Sequence, residues 1–178
     1  MGNIELITGG MFSGKTEELI RRLRRAKLAK KTVGAFKHAS DDRYDLTGLR
    51  SHNGERLKAF PCRTVASLEK AGRGFEVIGI DEVQFFDEEI VPLIITLANT
   101  GCRVIVAGLD LDSAGTPFEN TLQLLAQAEQ VTKLAAVCTQ CGADAFRSQR
   151  LVKESRQVFV GGTGAYEARC RACWTPHL

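Results

Sequence analysis

The chain has 178 residues, of which 44% are hydrophobic and 25% charged, with a formal net charge of +3. That length allows one core-bearing domain with a small appendage, and the apolar share is enough to build the core. A charge this small speaks against a concentrated nucleic-acid-binding surface. Apolar runs such as Val104-Ile105-Val106-Ala107 are strand-sized rather than membrane-sized, and the first residues lack a secretory signature. A cytoplasmic protein with no nucleic-acid and no membrane partner is therefore expected.

Ile4 to Thr8 is predicted as a short buried strand, followed by a glycine-bearing loop from Gly9 to Thr16. A helix is predicted from Lys15 to Lys30, because Leu19, Ile20, Leu23 and Ala26 recur at helical spacing. Arg21, Arg22, Arg24 and Arg25 fall on its other faces and are expected to be solvated. Val33 to Lys37 is a second strand, and His38 to Glu55, polar and containing glycine, is expected as a loop holding His38 and His52. A short helix over Arg63 to Ala71 and a strand over Phe75 to Asp81 follow. Asp87 to Thr100 is predicted helical with Gly101 as its stop, and Val104 to Gly108 as a strand. Thr116-Pro117-Phe118-Glu119 has the form of a capping box opening a helix that runs to Glu129. Strands alternating with helices predict an α/β fold, a mainly parallel sheet with helices on both faces.

Gly9-Gly10-Met11-Phe12-Ser13-Gly14-Lys15-Thr16 matches G-x-x-x-x-G-K-[ST] between a predicted strand and a predicted helix. Small residues let the backbone wrap phosphates, and N–H groups at a helix start face the anion. Lys15 can bridge the outer phosphates and the Thr16 hydroxyl can ligate Mg²⁺. Val77-Ile78-Gly79-Ile80-Asp81-Glu82 supplies the acidic strand end that such a loop requires. Asp81 suits the metal, and Glu82 can act on the proton of a nucleophile or on a water. These motifs predict ATP with Mg²⁺ as the cofactor and leave the phosphate acceptor open.

The composition changes near Lys133. Cys138-Thr139-Gln140-Cys141 and Cys170-Arg171-Ala172-Cys173 are two Cys-x-x-Cys pairs, the spacing of a closed tetrahedral zinc site. A four-thiolate site leaves no open position, so Cys138, Cys141, Cys170 and Cys173 are expected to hold a structural Zn²⁺. The linking segment, with strand-like Gln157-Val158-Phe159-Val160 and a Gly161-Gly162 turn, would project as a loop tied at its base. Two units are expected: residues 1–133 as an ATP-binding domain and 134–178 as a metal-stapled subdomain. Cys62 and Cys102 stand apart from both pairs.

The phosphate loop, Asp81-Glu82-Val83-Gln84-Phe85-Phe86, Gly108-Leu109-Asp110, Ser148-Gln149-Arg150-Leu151, Gly161-Gly162, Tyr166 and the four cysteines, in that order, resemble the thymidine kinases of the cytosolic, zinc-containing class. The resemblance covers nearly the whole chain. It implies a RecA-like P-loop NTPase domain and a small zinc-ribbon-like subdomain whose lasso loop closes over the nucleoside. It assigns Glu82 as the general base for the sugar 5′-hydroxyl, with Lys15 and Arg43 as catalytic partners. Asp41 and Gln84 join Gly9 to Thr16 and Asp81 as cofactor-binding residues. Main-chain groups from Gln157 through Val158, Phe159 and Val160 to Gly161 would read the pyrimidine edge. Tyr166, Met11, Phe85, Leu109, Ser113, Phe118 and Ser148 would surround the sugar and base. The resemblance further implies thymidine or deoxyuridine as substrate, feedback inhibition by dTTP, and a homotetramer.

Three positions depart from the family pattern. Ser113 stands where a Phe usually meets the base, Ser148 where a Thr usually meets the thymine methyl, and Gly164 where an acid is common. The lost ring at 113 is expected to weaken base binding by ~1 kcal/mol. A deoxynucleoside kinase of altered base preference, and a RecA-like ATPase that grips nucleic acid through its metal knuckle, are the alternatives these residues leave.

Overall fold

The computed structural model describes residues 2–39, 48–50, 56–152 and 164–176. The first half contains β1 (Asn3–Gly9), α1 (Lys15–Leu28), β2 (Val33–His38), β3 (Gly48–Arg50), β4 (Arg56–Lys58), β5 (Phe60–Cys62), α2 (Val65–Gly72) and β6 (Val77–Asp81). A single 3-10 turn, Val83–Phe85, leads to α3 (Ile90–Asn99), β7 (Arg103–Gly108), α4 (Glu119–Gln127) and β8 (Gln130–Leu134). Four short strands follow: β9 (Ala136–Val137), β10 (Asp144–Ala145), β11 (Arg147–Arg150) and β12 (Tyr166–Arg169).

Among the described residues, six strands form one sheet in the order β5-β2-β6-β7-β1-β8, with every pair parallel. Alternation along the strands divides the core between the two faces. Ile4 and Leu6 of β1 and Val104 and Val106 of β7 pack under α2, α3 and α4. Ile7, Ile105 and Ala107 point the other way, against Leu19, Ile20, Leu23 and Ala26 of α1. A sheet whose successive residues are apolar in both directions has to be covered on both sides. Leu23 is fully buried, and truncating it to alanine would cost about 2–5 kcal/mol.

Several boundaries differ from the sequence expectation. Helix α4 begins at Glu119, with no capping box from Thr116: the Thr116 N–H donates instead to the Asp112 carboxylate, and Pro117 bridges Leu111. The local Asx-type turn takes the donor that the cap would have used. A capping box does occur two helices earlier, where Thr64 and Ser67 bond reciprocally at the start of α2. His38 closes β2 instead of lying in a loop, and Gly48–Arg50 pairs with Arg56–Lys58 as a hairpin. The edge strand β5 is only three residues long, and β8 carries Gln130, Thr132 and Lys133 among its five, so neither stands out in sequence.

Arg22 is not solvated. It is 7% exposed, and its guanidinium bonds Glu5 at 2.8 Å, Glu18 at 2.8 Å and Thr132 at 2.9 Å. Arg103 bonds the other oxygen of Glu5 at 2.6 Å. This network ties α1 to β1, β7 and β8 at one end of the sheet. A buried carboxylate survives there because two guanidiniums satisfy it. Burial alone would raise the Glu5 pKa, but the bonds from Arg103 and Arg22 outweigh it and hold the group below the ordinary carboxylate range.

Among the described residues, the last strands pair only among themselves, β9 with β10 and β11 with β12, both antiparallel. Their core is small: Ala136, Cys138, Ala145, Ala168 and Cys170. Among the described residues, no helix is long and apolar enough to cross a membrane.

Candidate phosphate and nucleoside site

The loop Gly9–Thr16 runs from the carboxyl end of β1 into α1, as its spacing predicts. Gly9 has φ 141°, and a Cβ there would lie 2.3 Å from the Leu134 carbonyl oxygen, so only glycine fits. Gly14 caps α1 with φ 85°, turning the first N–H groups of the helix toward the loop. Ser13 Oγ donates to the Gly10 carbonyl at 2.8 Å, and the buried Lys15 Nζ donates to the same oxygen at 2.7 Å. That lysine lies folded against the loop, where an anion could take over the carbonyl's role.

Asp81 ends β6, the strand two places from β1, and is buried. Its Oδ2 accepts from Thr16 Oγ1 at 2.9 Å, and its Oδ1 from the Glu82 N–H at 3.1 Å. A hydroxyl and a carboxylate converging beside a phosphate loop are hard oxygen ligands of the kind Mg²⁺ takes.

Glu82 adopts φ 53° and ψ 47°, a left-handed conformation that disfavours non-glycine residues by about 1–2 kcal/mol. The sharp reversal lifts its carboxylate out of the strand line. Gln84 donates to Glu82 Oε2, and its own Oε1 accepts from the Leu109 N–H at 3.1 Å. Gln84, expected among the cofactor-binding residues, is buried and spans Glu82 and the end of β7. No local signal announces that bond to Leu109, since it joins the turn after β6 to the end of β7, 25 positions apart.

Of the expected nucleoside contacts, Met11 and Ser148 are brought together: the Met11 N–H donates to Ser148 Oγ at 3.0 Å. Leu109 adjoins Gln84, as above. Phe118 caps α4, and its N–H donates to the Asp110 carbonyl at 3.0 Å. Ser113 is buried in the turn closed by Asp112, whose Oδ1 accepts from Ala114 and Thr116 N–H at 2.9 Å each. Phe85 lies beside His38, with ring centroids 6.4 Å apart. Tyr166 is buried on β12, its hydroxyl accepting from Arg150 Nε at 3.2 Å. Asp41, Arg43 and Gln157 to Gly161 lie outside the described residues. No sequence motif marks Trp174. Its indole sits under the guanidinium of Arg147 at 5.1 Å and so close to Gly115 that a Cβ there would approach to 2.9 Å.

The four cysteines converge. Their sulfurs all lie within 4.8 Å of one another, and the Cys141 and Cys170 sulfurs are 3.6 Å apart. Tetrahedral Zn–S bonds place sulfurs about 3.8 Å apart, so the donor set fits a zinc ion. Such crowding divides the thiols. A hydrogen bond from the Cys170 backbone brings Cys138 down to about 6, while hydrogen bonding with the Cys170 and Cys141 thiols pushes Cys173 up to about 12.

The thymidine kinase family profile matches residues 2–174. Thymidine kinase of Rhodothermus sp. is 49% identical over 176 residues, covering 99% of this chain and 83% of that one. Thymidine kinase of Deinococcus deserti is also 49% identical, covering 96% of this chain and 93% of its own. Among solved structures, domain III of the Thermotoga maritima replication initiation protein DnaA overlaps with a TM-score of 0.47 at 15% identity, covering 76% of this chain and 56% of that chain, too distant a likeness to bear on function. Identity at this level, sustained from one end of the sequence almost to the other, decides the matter: the chain belongs to the thymidine kinase family.

Proposed function

We infer that this thymidine kinase moves the terminal phosphoryl group of ATP to the 5′-hydroxyl of thymidine at the carboxyl end of its parallel sheet, with Glu82 accepting the hydroxyl proton. One observation carries the reading: Thr16, Asp81, Glu82, Gln84 and Leu109 form a continuous chain of hydrogen bonds from the phosphate loop to the end of β7. The loop amides and Lys15 would hold the phosphates and take up charge as the transferred group separates. Thr16 and Asp81 would hold Mg²⁺, which when bound offsets the charge of the outer phosphates. A carboxylate within hydrogen-bond reach of an alcohol accepts its proton as the O–P bond forms, and Gln84 keeps that carboxylate oriented.

Around this centre the resemblance supplies the remaining roles. Arg43 would offset developing charge and Asp41 would lie near the metal. Met11, Phe85, Leu109, Ser113, Phe118, Ser148 and Tyr166 would enclose the nucleoside, with main-chain groups of 157–161 reading the base edge. A backbone that bonds a base edge discriminates well, because a wrong base leaves buried polar groups unpaired. We place the division at residues 1–133 and 134–178, supported by strands β9 to β12, which among the described residues pair only among themselves. Zn²⁺ on the four cysteines would staple the second unit. Homotetramer formation, feedback inhibition by dTTP and a cytoplasmic location complete the proposal, with deoxyuridine as a second substrate.

A nucleoside panel with radiolabelled ATP, scored for 5′-monophosphates, tests it. ADP formation should require thymidine and fall in the presence of dTTP. ADP formation stimulated by DNA and indifferent to nucleosides would overturn it. Light scattering of the purified protein reports the tetramer.

A further inference from the structure

Phe12 stands in the middle of the phosphate loop with φ 66°, a backbone region that bulky residues avoid. Its ring packs against the small core of the C-terminal unit, made by Ala136, Cys138, Ala145, Ala168 and Cys170. Two of these residues belong to the four-cysteine cluster. The two preceding loop residues also lie against the same unit. The Met11 N–H is bonded to Ser148, and a Cβ at Gly10 would lie 3.4 Å from the carbonyl carbon of Phe146. Three successive residues of the loop therefore meet the C-terminal unit, Met11 through a hydrogen bond and Phe12 through its ring.

A phosphate loop works only if its N–H groups converge on one centre. A non-glycine residue at positive φ persists only where its surroundings over-determine it. Here the socket does that: alanines leave room for the ring, and cysteines drawn together by a metal would fix the socket wall.

We propose that Phe12 is a positioning residue for ATP, its ring seated at the foot of the four-cysteine cluster so that the order of that cluster sets the shape of the phosphate loop. This rests on the assignment of Gly9–Thr16 to the ATP phosphates. Such a coupling is reciprocal: if the ordered cluster favours ATP, bound ATP slows loss of the metal.

The test measures zinc release from the whole protein to a chromogenic chelator, with and without a non-hydrolysable ATP analogue, alongside KM values for both substrates. In the unmodified protein the analogue should slow release several-fold. Phe12→Ala should raise the ATP KM roughly tenfold with the thymidine KM unchanged, and should abolish the analogue's effect on release. Phe12→Gly accepts the backbone conformation freely but lacks the ring, so it should behave like Phe12→Ala, while Phe12→Leu should recover most of the loss. An unchanged ATP KM in Phe12→Ala, with Lys15→Met impaired, overturns the inference alone. If Lys15→Met is also unaffected, the loop is not the ATP site and the inference falls with it. Should the variants not fold, zinc release from the unmodified protein that ignores the analogue overturns the inference by itself.

Discussion

The Thr16 hydroxyl donates to the Asp81 carboxylate at 2.9 Å, joining the end of the phosphate loop to the end of a strand two places away. Each is a hard oxygen ligand, and each satisfies the other. Asp81→Asn keeps the shape and removes the charge that would attract Mg²⁺. We expect kcat/KM to fall on the order of a hundredfold, and the Mg²⁺ concentration needed for half-maximal activity to rise. A magnesium titration that superimposes on that of the unmodified enzyme would remove Asp81 from the metal site.

Glu82→Gln retains size and hydrogen bonding but cannot accept a proton at neutral pH. Turnover is expected to fall by about 10²–10⁴-fold while ATP affinity, measured calorimetrically, stays within about twofold. Near-normal turnover would release Glu82 from the role of base.

Elemental analysis of protein purified without chelator should find about one zinc per chain. Cys141→Ser should lower that content and the Tm, because it withdraws a ligand from sulfurs held within 4.8 Å of each other. Zinc-free protein of unchanged Tm would defeat the metal reading.

Sequence alone expects Ser113→Phe to tighten thymidine binding by restoring a ring. The structure changes that expectation. Ser113 is only 6% exposed, in a turn closed by Asp112, so a ring can enter only by displacing packed atoms. We expect a lower Tm, from an overpacking cost of about 1–3 kcal/mol, and a higher thymidine KM. A tighter KM at unchanged Tm would show that open space lies beside the turn.

Glu18 has its pKa lowered to about 2, first by the hydrogen bonds from Arg21 and then by the one from Arg22, against the desolvation that raises it. The folded value lies below the ordinary 4.5, so the stabilisation is present above that value and is lost as pH falls toward about 2. Comparing Tm between the unmodified protein and Glu18→Gln should show a gap at pH 6 that narrows steadily below pH 4.5. A gap independent of pH would mean that the ionised carboxylate contributes nothing.

Much of this protein was legible in its sequence because the signals are local. A phosphate loop declares itself in eight consecutive residues, an acidic strand end in two, and a four-cysteine cluster in two spaced pairs. Apolar periodicity located β1, α1, β2, β6, α3 and β7 to within a few residues. The misplaced α4 start has a local cause as well, since Asp112 competes for the Thr116 N–H and the letters do not say which bond prevails.

What only the tertiary structure decided are relationships between distant parts of the chain. Arg22 is buried because Glu5 and Thr132 meet it from β1 and β8. Gln84 reaches Leu109, Phe12 seats against the cysteine unit, and Trp174 closes on Gly115. The residue types at these positions allow many partners. Burial selects among them, because a polar group taken out of water must find a partner and a ring must find a void of its own size, and both depend on how the layers pack.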